Sequence, residues 1–167
     1  MVEDKLQPLR VACAKLIGAL QQAGHPLIYM DETTLNSWLT KSRSWSYART
    51  PVLGALNAPY FSTTIYGALG SCLENNATFM SGRSTNAEEF VKFLHQVKSK
   101  VKPEFAGMHP VMILDNASAH ISKKKSLPVL LELFDPCNTP PYSCKLNSIE
   151  QLWSYVKRLF KCKLMEK

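Results

Sequence analysis

The sequence VMILD at residues 111–115 predicts a short buried strand that ends on an acidic residue. The sequence LIYMD at residues 27–31 shows the same pattern earlier in the chain. If the two strands are neighbours and end at the same edge of a sheet, Asp31 and Asp115 come together at one place. An Asp after a strand is also common as a turn former or helix cap, so this pattern leaves a purely structural role open.

Several other segments have the periodicity of helices or strands. We predict helices over residues 8–23, 85–101, 122–131 and 147–162, and further strands over residues 47–56 and 62–69. Pro8 suits the first turn of its helix, whereas Pro128 weakens the interior of its helix. The sequence therefore predicts an N-terminal helix within residues 1–24 and one α/β core within residues 25–167, in which helices cover a mixed central sheet.

The composition favours a soluble globular protein with an anionic partner. Of the 167 residues, 46% are hydrophobic and 20% are charged, which excludes a disordered chain. Lys and Arg number 20 against 13 Asp and Glu, so the net charge is +7. An excess of this size favours nucleic acid as a partner, although many basic proteins bind none. In the basic run at residues 123–125, Lys123 and Lys124 suit phosphate contacts, with a solvated helix face as the equal alternative.

The cysteines and the N-terminal residues indicate an intracellular protein. The 5 cysteines form no C-x-x-C pair, which favours buried or unused thiols in a reducing compartment over a zinc site or a disulfide framework. Charged residues throughout the N-terminal helix exclude a secretory leader, and no apolar run approaches the roughly 20 residues that span a bilayer. We therefore expect a protein that is not secreted and has no membrane partner. It would be nuclear in a eukaryote and otherwise cytoplasmic.

A third acid, Glu150, lies in the first turn of the last predicted helix, within LNSIEQLWSYVKRLFK at residues 146–161. One face of this helix is apolar and should pack on the sheet; it comprises Ile149, Leu152, Trp153, Val156 and Phe160. Glu150 shares the polar face with Lys157 and Lys161. This arrangement suits a carboxylate that points into a site with DNA phosphates beside it.

Three carboxylates at one place repel one another unless cations neutralise them. Two Mg²⁺ ions about 4 Å apart would neutralise the charge and also do chemistry, because one activates a nucleophilic oxygen and the other stabilises the leaving oxygen. Carboxylate oxygens favour Mg²⁺ or Mn²⁺ over zinc. A cluster of Asp31, Asp115 and Glu150 therefore predicts a two-metal site and no small-molecule cofactor.

Three blocks of sequence around these acids resemble the signature blocks of mariner-superfamily transposases. They are IYMDET at residues 28–33, VMILDNASAH at residues 111–120 and PPYSCKLNSIEQLWSYVKR at residues 140–158. The similarity covers roughly residues 24–160. It implies a ribonuclease-H-like fold with a D, D, E triad, in which Asp31, Asp115 and Glu150 are the catalytic residues and bind the two Mg²⁺ or Mn²⁺ ions.

The resemblance also implies supporting residues. Asn116 and His120 match the D-N-x-x-x-H run of the family and would lie close to the metals or the DNA, although a buried, satisfied histidine is the even alternative for His120. Asn147 would shape the loop before the last helix, a role of turn chemistry more than of catalysis. Glu32 points to the opposite face of its strand from Asp31, so we expect it to support the site rather than to bind metal.

The function implied by the resemblance is metal-dependent cleavage and transfer of DNA strands at a TA target, by a homodimer or larger assembly on DNA. Two alternatives remain open. One is an inactive or domesticated DNA-binding module derived from a transposase, and the other is a plain endonuclease of the same fold. About thirty residues precede Asp31, so we expect the chain to lack the helix-turn-helix region that recognises the ends of a mariner element.

Two departures from the family pattern lie just before Glu150. Cys144, Lys145 and Ser148 stand where the family has Pro, Asp and Pro. The segment LFDPCNT at residues 133–139 should be an apolar strand but contains a proline, which confines it to an edge or a bulge. We expect a loosened loop here to place the Glu150 carboxylate less exactly.

Overall fold

The computed structural model describes residues 2–36, 61–82, 86–118, 120, 122 and 124–165. Within these residues the order of the elements is α1 (Val2–Gln22), β1 (Leu27–Asn36), β2 (Ser62–Leu69), β3 (Ala77–Gly82), α2 (Ala87–Ser99), β4 (Val111–Leu114), α3 (Ser126–Leu133), β5 (Asp135–Asn138) and α4 (Ile149–Met165). The strand predicted over residues 47–56 lies outside the described residues. None of the described helices has the length and apolarity that a membrane span requires.

The strands form one mixed sheet in the order β3-β2-β1-β4-β5. β1 pairs antiparallel with β2, and β2 pairs antiparallel with β3. β4 pairs parallel with β1, with Tyr29 opposite Ile113, and β5 pairs parallel with β4. The two apolar segments that dominate the sequence are therefore neighbours in the centre of the sheet, as predicted.

Helices cover both faces of the sheet because its side chains alternate between the faces. On one face, α2 and α3 enclose the larger core, which includes Ile28, Met30, Tyr66, Phe90, Phe93, Met112 and Leu114, all fully buried. On the other face, Ile17 of α1 packs with Leu27, Val111 and Ile113, and α4 lies against β1 and β2. The predicted mixed sheet flanked by helices is confirmed.

Two predictions about prolines are wrong. α1 begins at Val2, so Pro8 lies inside the helix and not in its first turn. Its missing N–H removes one backbone hydrogen bond, and the rest of this long helix continues on either side. α3 begins at Ser126 and not at residue 122, so Pro128 lies in the first turn, where a backbone N–H has no partner within the helix in any case.

The edges of the sheet were harder to predict than its centre. β5 is an edge strand in which Pro136 stands opposite Met112, which confirms the expectation that proline confines this segment to an edge. The other edge, β3, was not predicted, because ATFMSG at residues 77–82 alternates too weakly to stand out. The helix predicted over residues 85–101 runs from Ala87 to Ser99, with Asn86 accepting hydrogen bonds from the N–H groups of its first turn.

Candidate active site

The parallel pairing of β1 with β4 brings Asp31 and Asp115 side by side. Tyr29 stands opposite Ile113, and each aspartate lies two residues further along its strand direction. Asp115 follows the end of β4, as predicted. β1, however, continues past Asp31 to Asn36, which corrects the expectation that the strand ends at this acid. The extension forms because β2 pairs with β1 beyond the point where β4 stops.

A cavity of about 380 Å³ lies at this position. It is lined by Asp31, Asp115, Asn116, Ala117, Asn147, Glu150 and the loop residues 139–144. All three acids of the predicted triad therefore face one cavity, together with two of the predicted supporting residues. Among the described residues, no three Asp, Glu, His or Cys side chains are close enough to hold one ion together.

Asp31 is the most strongly perturbed acid of the cavity. Burial raises the pKa of its carboxyl to about 6; a backbone hydrogen bond at Glu32 acts in the opposite direction, and the negative charges of Glu150, Glu32 and Asp115 raise the pKa further. Its Oδ2 accepts a hydrogen bond from the indole N–H of Trp153 at 2.9 Å. The ionised carboxylate at this place is thus destabilised by burial and also by neighbouring charges, which a cation would neutralise.

Asp115 has the opposite environment. Its Oδ1 accepts a hydrogen bond from the backbone N–H of Ala117 at 3.0 Å and lies 3.0 Å from Nδ1 of His120. The hydrogen bond from His120 lowers the pKa of this carboxyl, burial opposes the shift, and the Ala117 N–H and the charge of His120 add to it. Asp115 is therefore ionised and held at one oxygen.

His120 joins two carboxylates from within the core. Its side chain is fully buried, with Nε2 at 2.7 Å from Oε1 of Glu32 and its ring 4.5 Å from the ring of Phe90. Burial alone would lower its pKa, but the hydrogen bonds to Asp115 and Glu32 outweigh burial and raise the pKa to about 10. The histidine is thus both buried and satisfied, and it also contacts a residue of the triad. Glu32, which we expected to support the site and not to bind metal, thus contacts a histidine that also contacts Asp115.

The two asparagines connect the segments that line the cavity. Asn116 Nδ2 donates to the carbonyl of Thr139 at 2.9 Å, which links the loop after β4 to the loop after β5. Asn147 Nδ2 donates to the carbonyl of Met30 at 2.8 Å, and so fixes the start of α4 beside Asp31. The buried Oδ1 of Asn147 has no hydrogen-bond partner among the described residues.

The loop before Glu150 is braced from α1. Tyr142 has a φ of 55° and an 86% exposed side chain. Arg10 donates from Nη2 to the carbonyl of Tyr142 at 3.0 Å and from Nε to Oγ of Ser143 at 3.1 Å. A 3-10 turn at Cys144–Leu146 then leads into α4. The replacements in this loop are therefore accompanied by hydrogen bonds from α1 that sequence reasoning did not foresee.

The predicted DNA-contacting lysines lie outside this cavity. On α4, Lys157 is half-buried and Lys161 is exposed, and Lys124 is exposed ahead of α3. Lys123 lies outside the described residues. None of the three described lysines lines the cavity. They are therefore not groups that act on the carboxylates of the cavity.

Sequence reasoning missed Trp153 as a member of the site. Its position on the apolar face of α4 predicted a core residue, and the side chain is indeed buried, with 2% exposed. The contact with Asp31 depends on the register that places Gly67 of β2 opposite Asp31. A lone glycine inside a strand, which indicates close approach of another group, was the available signal.

The donor types in the lining of the cavity are those that a hard divalent cation prefers. The cavity offers carboxylate oxygens of Asp31, Asp115 and Glu150, and the unpartnered Oδ1 of Asn147 lies among the same lining residues. Among the lining residues, the exposed Cys144 is the only one with a sulfur atom that could bind a metal. Oxygen ligands of this kind favour Mg²⁺ or Mn²⁺ over softer metals.

Comparisons with solved structures show the same fold. The chain is similar to a pre-cleavage Mos1 transpososome, with a TM-score of 0.68 and 14% identity over 95% of this chain and 50% of that chain. It is similar to the Mos1 transposase paired-end complex with left transposon end, with a TM-score of 0.66 and 14% identity over 94% of this chain and 49% of that chain. For the catalytic domain of Mos1 mariner transposase the TM-score is 0.64, with 14% identity over 95% of this chain and 72% of that chain.

The chain thus spans about half the length of the first two structures. At this level of identity the likeness establishes the fold, and it confirms the predicted ribonuclease-H-like sheet. No curated protein sequence matches the chain. Residues 26–165, from the residue before β1 to the end of α4, match the family model of the DDE superfamily endonucleases. The chain therefore belongs to the DDE superfamily endonucleases and has the catalytic-domain fold of a mariner transposase.

Proposed function

We propose that this chain is the catalytic core of a mariner-type transposase that cleaves and joins DNA strands. Asp31, Asp115 and Glu150 would be its catalytic residues and would hold two Mg²⁺ or Mn²⁺ ions. The observation that carries the proposal is that all three line one cavity of about 380 Å³, at the place where β1 and β4 lie side by side. Membership of a family of endonucleases supports the same chemistry.

The electrostatics of the cavity support metal binding. The pKa of Asp31 is raised to about 6 by burial and by the neighbouring acids, so cations near this group would favour its ionised form. When bound, two such ions activate the attacking oxygen and stabilise the leaving oxygen of a phosphodiester.

The supporting residues would hold these carboxylates in place. His120, charged between Glu32 and Asp115, fixes one Asp115 oxygen. Asn147 ties the start of the helix that carries Glu150 to Met30, next to Asp31. Positioning of this kind matters because a displacement of about 1 Å at a catalytic group can reduce the rate of reaction on the order of 100-fold.

DNA is the proposed partner, bound as a homodimer or larger assembly. Solved relatives of this fold include a paired-end complex with left transposon end and a strand transfer complex of Mos1. The net charge of +7 is consistent with binding to phosphates. We assign phosphate contacts to Lys157 and Lys161 on α4 and to Lys123 and Lys124. The protein would then act in the nucleus of a eukaryote, or in the cytoplasm otherwise.

A plasmid-nicking assay with Mg²⁺ or Mn²⁺ tests the proposal. Wild-type protein should convert supercoiled plasmid to nicked circles, and Asp115→Asn should abolish this activity. Asp135→Asn is the matched control, because Asp135 is an exposed acid of β5 outside the cavity, 4.0 Å from His109. Equal nicking by wild type and Asp115→Asn would contradict the catalytic assignment.

Pre-cut DNA ends then separate the remaining alternatives. Transfer of a 3′ end into target DNA is the expected result for a transposase core. Nicking without strand transfer would identify a plain endonuclease of the same fold. DNA binding without nicking in either metal would identify an inactive or domesticated DNA-binding module.

A further inference from the structure

The indole ring of Trp153 occupies a slot that a glycine leaves open beside Asp31. Gly67 of β2 stands directly opposite Asp31 in the antiparallel pair. A Cβ at Gly67 would lie 2.6 Å from Cη2 and 2.7 Å from Cζ2 of the indole ring, closer than carbon atoms can approach. The absence of a side chain at this position is therefore what allows the ring to lie against the strand.

The ring is fixed in this slot by packing on its other sides. Trp153 has only 2% of its surface exposed, and the ring of Phe79 on β3 contacts it edge-on at 6.0 Å between centroids. A buried indole N–H requires an acceptor, and the acceptor here is Oδ2 of Asp31 at 2.9 Å. The packing of the ring thus keeps the indole N–H directed at Oδ2 of Asp31.

Asp115 is engaged in the same way by different groups. Its Oδ1 lies 3.0 Å from both the backbone N–H of Ala117 and Nδ1 of His120. For Asp31 on β1 and for Asp115 just after β4, one carboxylate oxygen is held by donors of the protein. Oδ1 of Asp31 and Oδ2 of Asp115 are then the oxygens that no side-chain donor of the described residues holds.

We propose that Trp153 is a positioning residue that makes Asp31 a one-oxygen metal ligand and thereby favours Mg²⁺ over Ca²⁺. This inference rests on the proposed function, since it assumes that Asp31 binds metal. Mg²⁺ requires a small octahedral shell, whereas Ca²⁺ takes six to eight oxygens and readily uses both oxygens of one carboxylate. The indole N–H occupies one of the two lone pairs of Oδ2, so a Ca²⁺ ion that used both carboxylate oxygens would compete with this hydrogen bond.

Metal competition without DNA tests this role separately from catalysis. The probe is Mn²⁺, whose free fraction is measured by electron paramagnetic resonance while Mg²⁺ or Ca²⁺ displaces it from the protein. Partners of metal ligands typically change metal affinity by 10–100-fold when they are removed. For Trp153→Phe we expect the affinity for Mg²⁺ to fall about 10-fold, while that for Ca²⁺ changes less than about 3-fold.

Two further variants separate the hydrogen bond from packing. Gly67→Ala keeps the indole but fills its slot, and should shift the ratio of Mg²⁺ to Ca²⁺ affinity in the same direction as Trp153→Phe. Phe79→Leu removes the ring neighbour without touching the N–H donor, and should leave the ratio within about 2-fold of wild type. An equal shift in all three variants would overturn the proposal, because loss of packing alone would then explain it.

The failure of this inference is distinguishable from failure of the proposed function. If Asp31→Asn binds Mn²⁺ as tightly as wild type, the metal site itself is wrong. If Asp31→Asn loses Mn²⁺ and Trp153→Phe keeps the wild-type ratio, only the role of Trp153 is wrong.

Wild-type protein provides a measurement that does not depend on the folding of Trp153→Phe. In protein labelled with ¹⁵N-tryptophan, Trp38→Phe and Trp45→Phe identify the remaining indole signal as that of Trp153. At saturating Mg²⁺ its N–H should stay protected from exchange with solvent. Loss of that protection on Mg²⁺ binding would overturn the proposal.

Discussion

Replacement of Glu32 by Gln tests whether the buried ion pair between Glu32 and His120 stabilises the fold beside the active site. Glu32 Oε1 lies 2.7 Å from Nε2 of His120, whose side chain is fully buried. The variant keeps the size and an acceptor oxygen but removes one of the two negative charges that face the imidazolium. A hydrogen bond to a charged group contributes about 1.5–3 kcal/mol, and breaking a buried ion pair costs about 3–5 kcal/mol.

The expected loss lies near the lower of these ranges, because Gln still accepts a hydrogen bond and Asp115 still pairs with His120. We expect the free energy of unfolding to fall by about 2 kcal/mol, which for a domain of this size lowers Tm by about 4–8 °C. Urea and thermal unfolding of the metal-free protein at pH 7 measure this. The control is Glu88→Gln, which breaks the exposed pair of Glu88 with Lys125 and should leave Tm unchanged within error.

The pH dependence gives a second measurement. The pKa of His120 rises from 6.5 to about 10 on folding, because its hydrogen bonds to Asp115 and Glu32 outweigh its burial. The charged pair therefore stabilises the fold fully below pH 6.5, and this stabilisation is lost as the pH rises through about 10. The difference in unfolding free energy between wild type and Glu32→Gln should shrink towards pH 10. A loss no larger than that of Glu88→Gln, or a difference constant from pH 7 to 10, would refute a charged His120.

Four further substitutions probe the cavity and the surface around it. Arg10→Lys removes the paired hydrogen bonds that hold the loop before Glu150. The kcat of nicking should therefore fall about 10-fold or more, with little change in Tm. An unchanged kcat would show that these hydrogen bonds do not contribute to activity. Asn147→Ala leaves the buried carbonyl of Met30 without its donor, so the free energy of unfolding measured by urea titration should fall by about 1–3 kcal/mol. Asn116→Ala, at a more exposed position, should lower the free energy of unfolding less. Lys157→Ala should weaken binding to any DNA sequence and reduce the slope of log affinity against log salt by about 1; an unchanged slope would place Lys157 off the DNA.

The centre of the fold was predictable because it depends on local sequence. Residues 27–30 and 111–114 are apolar without interruption, and a segment of that kind is stable only when both of its faces are covered. The acids that follow them then come together because of the direction of parallel strands. No distant contact was needed for this inference.

The parts that were missed depend on pairing between distant segments. β1 extends past Asp31 because β2 pairs with it, and strand formation responds to such partners more than to the residues themselves. Trp153 was predicted as a core residue and is one. Its hydrogen bond to Asp31 depends on the register that places Gly67 opposite Asp31. The sequence of α4 carries no information about that register. The brace from Arg10 likewise joins segments more than a hundred residues apart in the chain.

The alternation of β1 explains how one strand supports both aspartates of the site. Successive side chains of a strand point to opposite faces. Asp31 therefore points to the face covered by α4 and meets the indole N–H there, while Glu32 points to the other face and meets His120. His120 also contacts Asp115. Glu32 and His120 therefore link β1 to the acid that follows β4, on the face of the sheet opposite to α4. A slip of one residue in the pairing of β1 would exchange the two faces and lose both contacts at once, so the register of this strand determines both aspartate environments.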